Sequence, residues 1–121
     1  MIFNSICLVT EDVIRLTNFY EQALRVKVEG DREYAKIQVP GAQLTIFSRE
    51  GMERMAPGST SNCKGSSIVI EVEVADVDKE YERLKKLQVS FVKQPTTQPW
   101  GVRSVWFTDP DGNIINFYAK V

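Results

Sequence analysis

The 121-residue chain contains no histidine. Its absence removes the usual general base near neutral pH and the commonest protein ligand of zinc, copper and non-haem iron. Serine–histidine and cysteine–histidine nucleophile systems are excluded on the same ground. A metal bound by this chain would be held by carboxylates, carbonyls or water, a set suited to magnesium, manganese or calcium. Cysteine is nearly as scarce. Cys7 lies in an apolar run and Cys63 in a polar stretch, which reads as two reduced thiols of a cytoplasmic protein rather than a disulfide framework. There is no excess of one charge: 15 basic residues face 16 acidic ones, for a net charge of -1. The basic footprint that nucleic-acid binding needs is therefore missing. No apolar run approaches the ~20 residues of a membrane span. The opening MIFNSICLVTED has no basic region ahead of its apolar stretch and no small-residue cleavage site, so it does not read as a signal peptide. Neither nucleic acid nor membrane is an expected partner.

What is present repeats itself. Ile6–Thr10, extended back to Phe3, is apolar and β-branched and predicts a strand. Asp12 then caps a helical stripe of Val13, Leu16, Tyr20 and Leu24, widened by Phe19. In the second half Ile68–Val74 predicts a strand, Asp76 a cap, and Val77, Tyr81 and Leu84 a stripe, with Glu82 and Lys86 one turn apart. Asp12 and Asp76 are 64 positions apart. Three further strands follow each helix: Val26–Glu29, Glu33–Val39 and Gln43–Ser48, then Val89–Lys93, Val102–Thr108 and Asn113–Lys120. Gly30-Asp31, Pro40-Gly41 and Asp109-Pro110-Asp111-Gly112 supply the turns. Gln94–Gly101 reads as a loop in the second half.

The expected class is α+β, as two βαβββ modules within a single domain. Module one is 1–48, the linker 49–66, with a helical turn at Glu50–Met55, and module two 67–121. A four-stranded sheet with one helix leaves a face uncovered. The simplest expectation is that the two faces meet, giving a cupped, barrel-like antiparallel sheet with helices outside. The long linker would also allow modules to exchange between chains.

Three segments carry a family resemblance: TEDVIRLTNFY, VADVDKEYERL and, most specifically, the ending PWGVRSVWFTDPDGNIINFYA. With them the whole chain resembles the vicinal oxygen chelate superfamily of glyoxalase I, extradiol dioxygenases and the fosfomycin- and bleomycin-resistance proteins. The Pro-Trp-Gly-Val-Arg start looks most like the bleomycin-resistance branch. The resemblance places metal ligands at four positions, one on the first and one on the last strand of each module: here Ser5, Thr45, Val69 and Asn116. None is His, Asp or Glu. Valine has no donor, and two hydroxyls with one amide supply no anionic ligand. No metal site, no cofactor and no catalytic residue is expected.

The branch resemblance then implies a metal-independent binding protein that sequesters a partly aromatic small molecule, as in antibiotic resistance, working as a homodimer. Period-two alternation puts Cys7, Phe47, Glu71, Asn116 and Tyr118 on the cup face and leaves Ile6, Leu8, Leu44, Ile46, Ile70, Ile115 and Phe117 for the helices. The expected ligand-binding residues are Trp100, Trp106, Phe47, Tyr118, Glu71, Arg103 and Asn116. Trp100, between Pro99 and Gly101, matches a groove-lining tryptophan of that branch. Glu71 offers a counter-charge and Arg103 a clamp for an anionic group, although Arg103 has the parity of the helix-facing side. Tyr34, Met52 and Met55 are candidate rim residues. The alternative is an isomerase or lyase without a metal, using Glu71 as base and Arg103 to stabilise an oxyanion.

Overall fold

The computed structural model describes residues 5–61 and 68–121. Phe3, at the start of the first expected strand, and Cys63 lie outside the described residues. The chain divides into two compact units, Met1–Lys64 and Gly65–Val121. Unit 1 contains β1 (Ile6–Thr10), α1 (Val13–Leu24), β2 (Val28–Gly30), β3 (Tyr34–Ile37), β4 (Leu44–Ser48) and α2 (Arg49–Met55). Unit 2 contains β5 (Val69–Glu73), α3 (Val77–Lys86), β6 (Ser90–Gln98), β7 (Val102–Thr108) and β8 (Ile114–Lys120).

The α+β class and the repeated βαβββ order are as the sequence predicts. Each unit holds one four-stranded sheet, ordered β1-β4-β3-β2 and β5-β8-β7-β6. The sheets are mixed rather than wholly antiparallel: β1 runs parallel to β4 and β5 parallel to β8. The connections explain this. A helical crossover leads to the far edge strand, and two successive reversals bring the last strand back beside the first in the same direction.

The two long helices start alike. The Asp12 carboxylate accepts from the Arg15 amide at 3.1 Å, and the Asp76 carboxylate accepts from the Lys79 amide at 3.1 Å. Each cap satisfies one of the donors a helix N-terminus leaves open. On α1 the buried stripe is Val13, Leu16, Tyr20 and Ala23, against Ala35, Ile37, Leu44 and Ile46 of the sheet. On α3 it is Val77, Glu80 and Leu84, against Val105, Phe107, Ile115 and Phe117. Phe107 is the centre of an aromatic stack, with rings of Phe91 at 6.5 Å and Phe117 at 5.0 Å in edge-on geometry.

Three local expectations change. Glu82 pairs with Lys85 at 2.9 Å, the i,i+3 partner, where Lys86 was expected. The helical turn in the linker is a full short helix, α2, that packs on β4 and β1 of unit 1. The loop expected over Gln94–Gly101 is mostly strand: β6 continues to Gln98 through two register shifts. Pro95 is tolerated because β6 is an edge strand and bulged, so its missing N–H removes no essential ladder bond.

Glu53 anchors α2 to the turn at Gly58–Thr60. Its carboxylate accepts from the Gly58 amide at 2.7 Å, the Thr60 amide at 3.0 Å and the Thr60 hydroxyl. These bonds, the Thr60 hydroxyl first, hold the Glu53 carboxyl below its ordinary range. A depressed folded-state pKa contributes stability above the unfolded value and loses it as pH falls through the folded one. Thermal melts of the wild type and Glu53→Gln at pH 7 and pH 3 should therefore converge at the lower pH. An unchanged gap would show that the carboxylate contributes nothing.

Candidate functional site

In unit 1 the sheet face turned away from α1 carries Cys7 and Val9 of β1, Thr45 and Phe47 of β4, and Tyr34 and Lys36 of β3. Cross-strand register aligns Cys7 with Thr45 and Lys36, and Val9 with Phe47 and Tyr34. The Tyr34 and Phe47 rings meet edge-on at 6.2 Å. Helix α2 closes one side because Gly51 lies directly over Phe47: a Cβ there would stand 2.6 Å from the ring. Between them lies a hollow of about 680 Å³. Cys7, Thr45, Phe47, Tyr34 and Met55 line it, together with the charged residues Asp31, Glu33 and Arg54. Arg54 is already engaged by Glu33 and, at 3.4 Å, by Glu50. The hollow thus offers mainly aromatic and sulfur surface, with the Thr45 hydroxyl in its lining. A site of this make-up holds flat, weakly polar molecules by area rather than by charge.

In unit 2 the face turned away from α3 carries the other candidates, and the register aligns them in rows. Glu71 of β5 opposes Asn116 of β8, Asn116 opposes Trp106 of β7, and Trp106 opposes Lys93 of β6. The next row is Glu73, Tyr118, Ser104 and Thr96. Trp106 Nε1 and Asn116 Oδ1 are buried with no hydrogen-bond partner among the described residues. Ser104, only 3% exposed, adds a hydroxyl to the same face. Glu71 and Lys93 are exposed at the two ends of their row.

Five of the seven expected ligand-binding residues therefore lie on the sheet faces turned away from α1 and α3, Phe47 in unit 1 and Trp106, Tyr118, Glu71 and Asn116 in unit 2. The other two do not. Trp100 sits in the tight turn between β6 and β7, where the Gly101 amide donates to the Gln98 carbonyl at 3.1 Å, and its side chain is 73% exposed. Arg103 points to the opposite side of the sheet, as its parity dictates. Its Nε and Nη2 donate to the two oxygens of Asp78 on α3 at 2.7 Å each, and Nη1 donates to Thr97 at 3.1 Å. This forked pair holds the Asp78 carboxyl below its usual range and raises Arg103 further. Arg103 is a strand-to-helix tie in this structure, not a clamp on the free face, and it stands on the other side of the sheet from Glu71.

Thr45 and Lys93 are the residues that sequence reasoning undervalued. Thr45 carries a signal, since it takes the same place in module one as Asn116 in module two. Lys93 carries none, because the bulges that bring it opposite Trp106 leave no mark in the local pattern.

The four positions at which the resemblance places metal ligands do not fit an ion. Thr45 offers a hydroxyl, Val69 offers no donor, and Asn116 offers one neutral carbonyl oxygen. Ser5 adds a second hydroxyl. Among the described residues no group of three or more His, Cys, Asp and Glu side chains could hold a metal ion. Neither the two hydroxyls of unit 1 nor the single amide oxygen of unit 2 replaces the water ligands of a divalent cation.

Comparison with known proteins gives the fold its kin. The chain superposes on a glyoxalase/bleomycin resistance protein/dioxygenase family enzyme from Burkholderia phytofirmans PsJN, with a TM-score of 0.87, 15% identity and 98% of each chain covered. It is also similar to a glyoxalase/bleomycin resistance protein/dioxygenase from Nocardioides, with a TM-score of 0.81 and 24% identity over 100% of this chain and 84% of that one. Both share the fold. A sequence relative, the uncharacterized protein YraH of Bacillus subtilis (strain 168), is 28% identical over 94% of both chains. The family model for the Glyoxalase/Bleomycin resistance protein/Dioxygenase superfamily matches residues 2–117. With the repeated βαβββ units and nearly the full length matched, the chain belongs to that superfamily.

Proposed function

We propose that the protein is a metal-independent binder that sequesters a small, partly aromatic molecule, as the bleomycin-resistance part of the family name describes. The capturing form in this reading is a cytoplasmic homodimer. The observation that carries it is the chemistry of the two sheet faces turned away from α1 and α3. Where an enzyme of the superfamily needs ion-holding side chains, this chain has Ser5, Thr45, Val69 and Asn116, while Phe47, Tyr34, Trp106 and Tyr118 give the same faces aromatic surface. Aromatic walls with a few polar groups suit capture of a planar molecule and need no reacting centre.

The competing reading, a lyase or isomerase, asks Glu71 and Arg103 to act on one substrate. They lie on opposite sides of one sheet, and Arg103 is bound in its fork to Asp78. Arg103 therefore does not reach an oxyanion formed beside Glu71. Two calorimetric titrations of chelator-treated protein test the proposal, one with bleomycin and one with manganese. Stoichiometric bleomycin binding in the presence of EDTA, with the bleomycin recovered unaltered, is the expected result. Binding that EDTA abolishes, or chemical conversion of the bleomycin, would contradict it.

A further inference from the structure

We propose that Trp106 and Asn116 together read the edge of a cis-amide, such as a lactam or a heteroaromatic carboxamide. The Trp106 Nε1–H donates to the carbonyl oxygen of the ligand, and Asn116 Oδ1 accepts from the adjoining N–H. This assignment deepens the capture reading by naming a chemical class, and it rests on that reading.

Three observations support it. The two side chains are direct cross-strand partners on the inner strands β7 and β8, on the face that α3 does not cover. Directly opposed residues hold their Cβ atoms about 4.5–5.5 Å apart, so both can address one small functional group. Both polar atoms are buried, and neither has a hydrogen-bond partner among the described residues. A buried donor or acceptor left without a partner is costly to folding, so two side by side are a poor choice for packing alone and a good one for recognition. The residues that carry the atoms are themselves only part-buried.

The pair of atoms also defines what it complements. Trp106 Nε1–H is only a donor and Asn116 Oδ1 only an acceptor. The complementary ligand edge carries one acceptor beside one donor. Glu71 and Lys93 close the row at its two ends, on strands about 14 Å apart by sheet spacing. That span admits two fused aromatic rings, and the Tyr118 ring stands in the neighbouring row.

The test compares 2-quinolone with N-methyl-2-quinolone, which has the same ring and carbonyl but no N–H. The readout is the indole N–H resonance of Trp106 in the ¹⁵N-labelled protein, told from that of Trp100 with Trp100→Phe. 2-Quinolone should shift the Trp106 signal and bind at least tenfold tighter than its N-methyl analogue. Asn116→Leu and Trp106→Phe, the latter keeping an aromatic ring, should each bring 2-quinolone down to the affinity of the analogue. Equal affinity of the two compounds for the wild type overturns the assignment, and needs no variant to fold. So does a Trp106 signal that 2-quinolone leaves unmoved. A Trp106 signal that moves in ligand-free Asn116→Leu also overturns it, because the two side chains would then be satisfying each other. If both compounds bind equally, the amide assignment falls while the capture reading, tested with bleomycin, stands.

Discussion

Phe107→Ala should lower the free energy of unfolding by about 3–5 kcal/mol, the range for truncating a fully buried aromatic side chain. Phe107 is completely buried between Val105-bearing β7 and helix α3, and its ring is stacked edge-on by both Phe91 and Phe117. Removing it loses transfer energy and the aromatic contacts with Phe91 and Phe117. Since a domain of this size has only about 5–15 kcal/mol in total, the variant should show a much lower urea midpoint, with Phe107→Leu between the two. A midpoint within error of the wild type would mean that this core is not what holds unit 2 together.

Gly30→Ala is the second large effect, with a different cause. Gly30 ends β2 and pairs with Ala35 across the β2–β3 hairpin. Its φ is +153°, and a Cβ built there would stand 2.2 Å from the Tyr34 carbonyl oxygen and 2.5 Å from the Ala35 Cα. Both are backbone atoms, so no change of rotamer relieves the clash and the hairpin itself must shift. Overpacking of this kind together with a disfavoured backbone conformation should cost about 2–4 kcal/mol. The turn beyond it is held by the Asp31 carboxylate, which accepts from the Glu33 and Tyr34 amides at 2.8 and 3.0 Å. Displacing it moves Tyr34, which lines the hollow. A urea titration should show the loss of stability, and a full retention of the wild-type midpoint would contradict the close approach at Gly30.

The fold was legible because its signals are local and doubled. Asp12 and Asp76 cap helices at an interval of 64 residues, and the apolar parity of Leu44, Ile46, Ile115 and Phe117 assigns a helix-facing side that the structure reproduces as buried. The same parity placed Asn116, Tyr118 and Trp106 together on the other side. What was not legible depends on contacts without a period. The parallel pairing of β1 with β4 follows from connection order, not from any residue in either strand. The extension of β6 through Pro95 depends on its being an edge, a property of the whole sheet. The fork between Arg103 and Asp78 joins residues 25 positions apart, and no pattern in β7 announces a partner on α3. Parity did indicate the correct side for Arg103; assigning it to a ligand went against that signal.

The same distinction separates the roles of the two faces of each sheet. Charged residues of the chain are mostly spent on structure: Arg103 on Asp78, Arg54 on Glu33 and Glu50, Lys85 on Glu82, Glu53 on the turn after α2. Exposed pairs of this sort contribute little each; of those named, Arg103–Asp78 joins a strand to a helix, while Lys85–Glu82 and Arg54–Glu50 lie within one helix. Among the described residues, Trp106 Nε1 and Asn116 Oδ1 are buried polar atoms outside these ties, and they share their sheet face with the Tyr118 ring. The proposed capture of a planar molecule draws on these groups.

Manganese titration of the chelator-treated protein tests that account most directly, because every metal-dependent chemistry of the superfamily begins with an ion held at the four strand positions. With Ser5, Thr45, Val69 and Asn116 at those places, the heat signal should be no more than that of weak surface carboxylates, and Asn116→Leu should not alter it. One tight manganese ion per chain, lost in Asn116→Leu, would contradict the account.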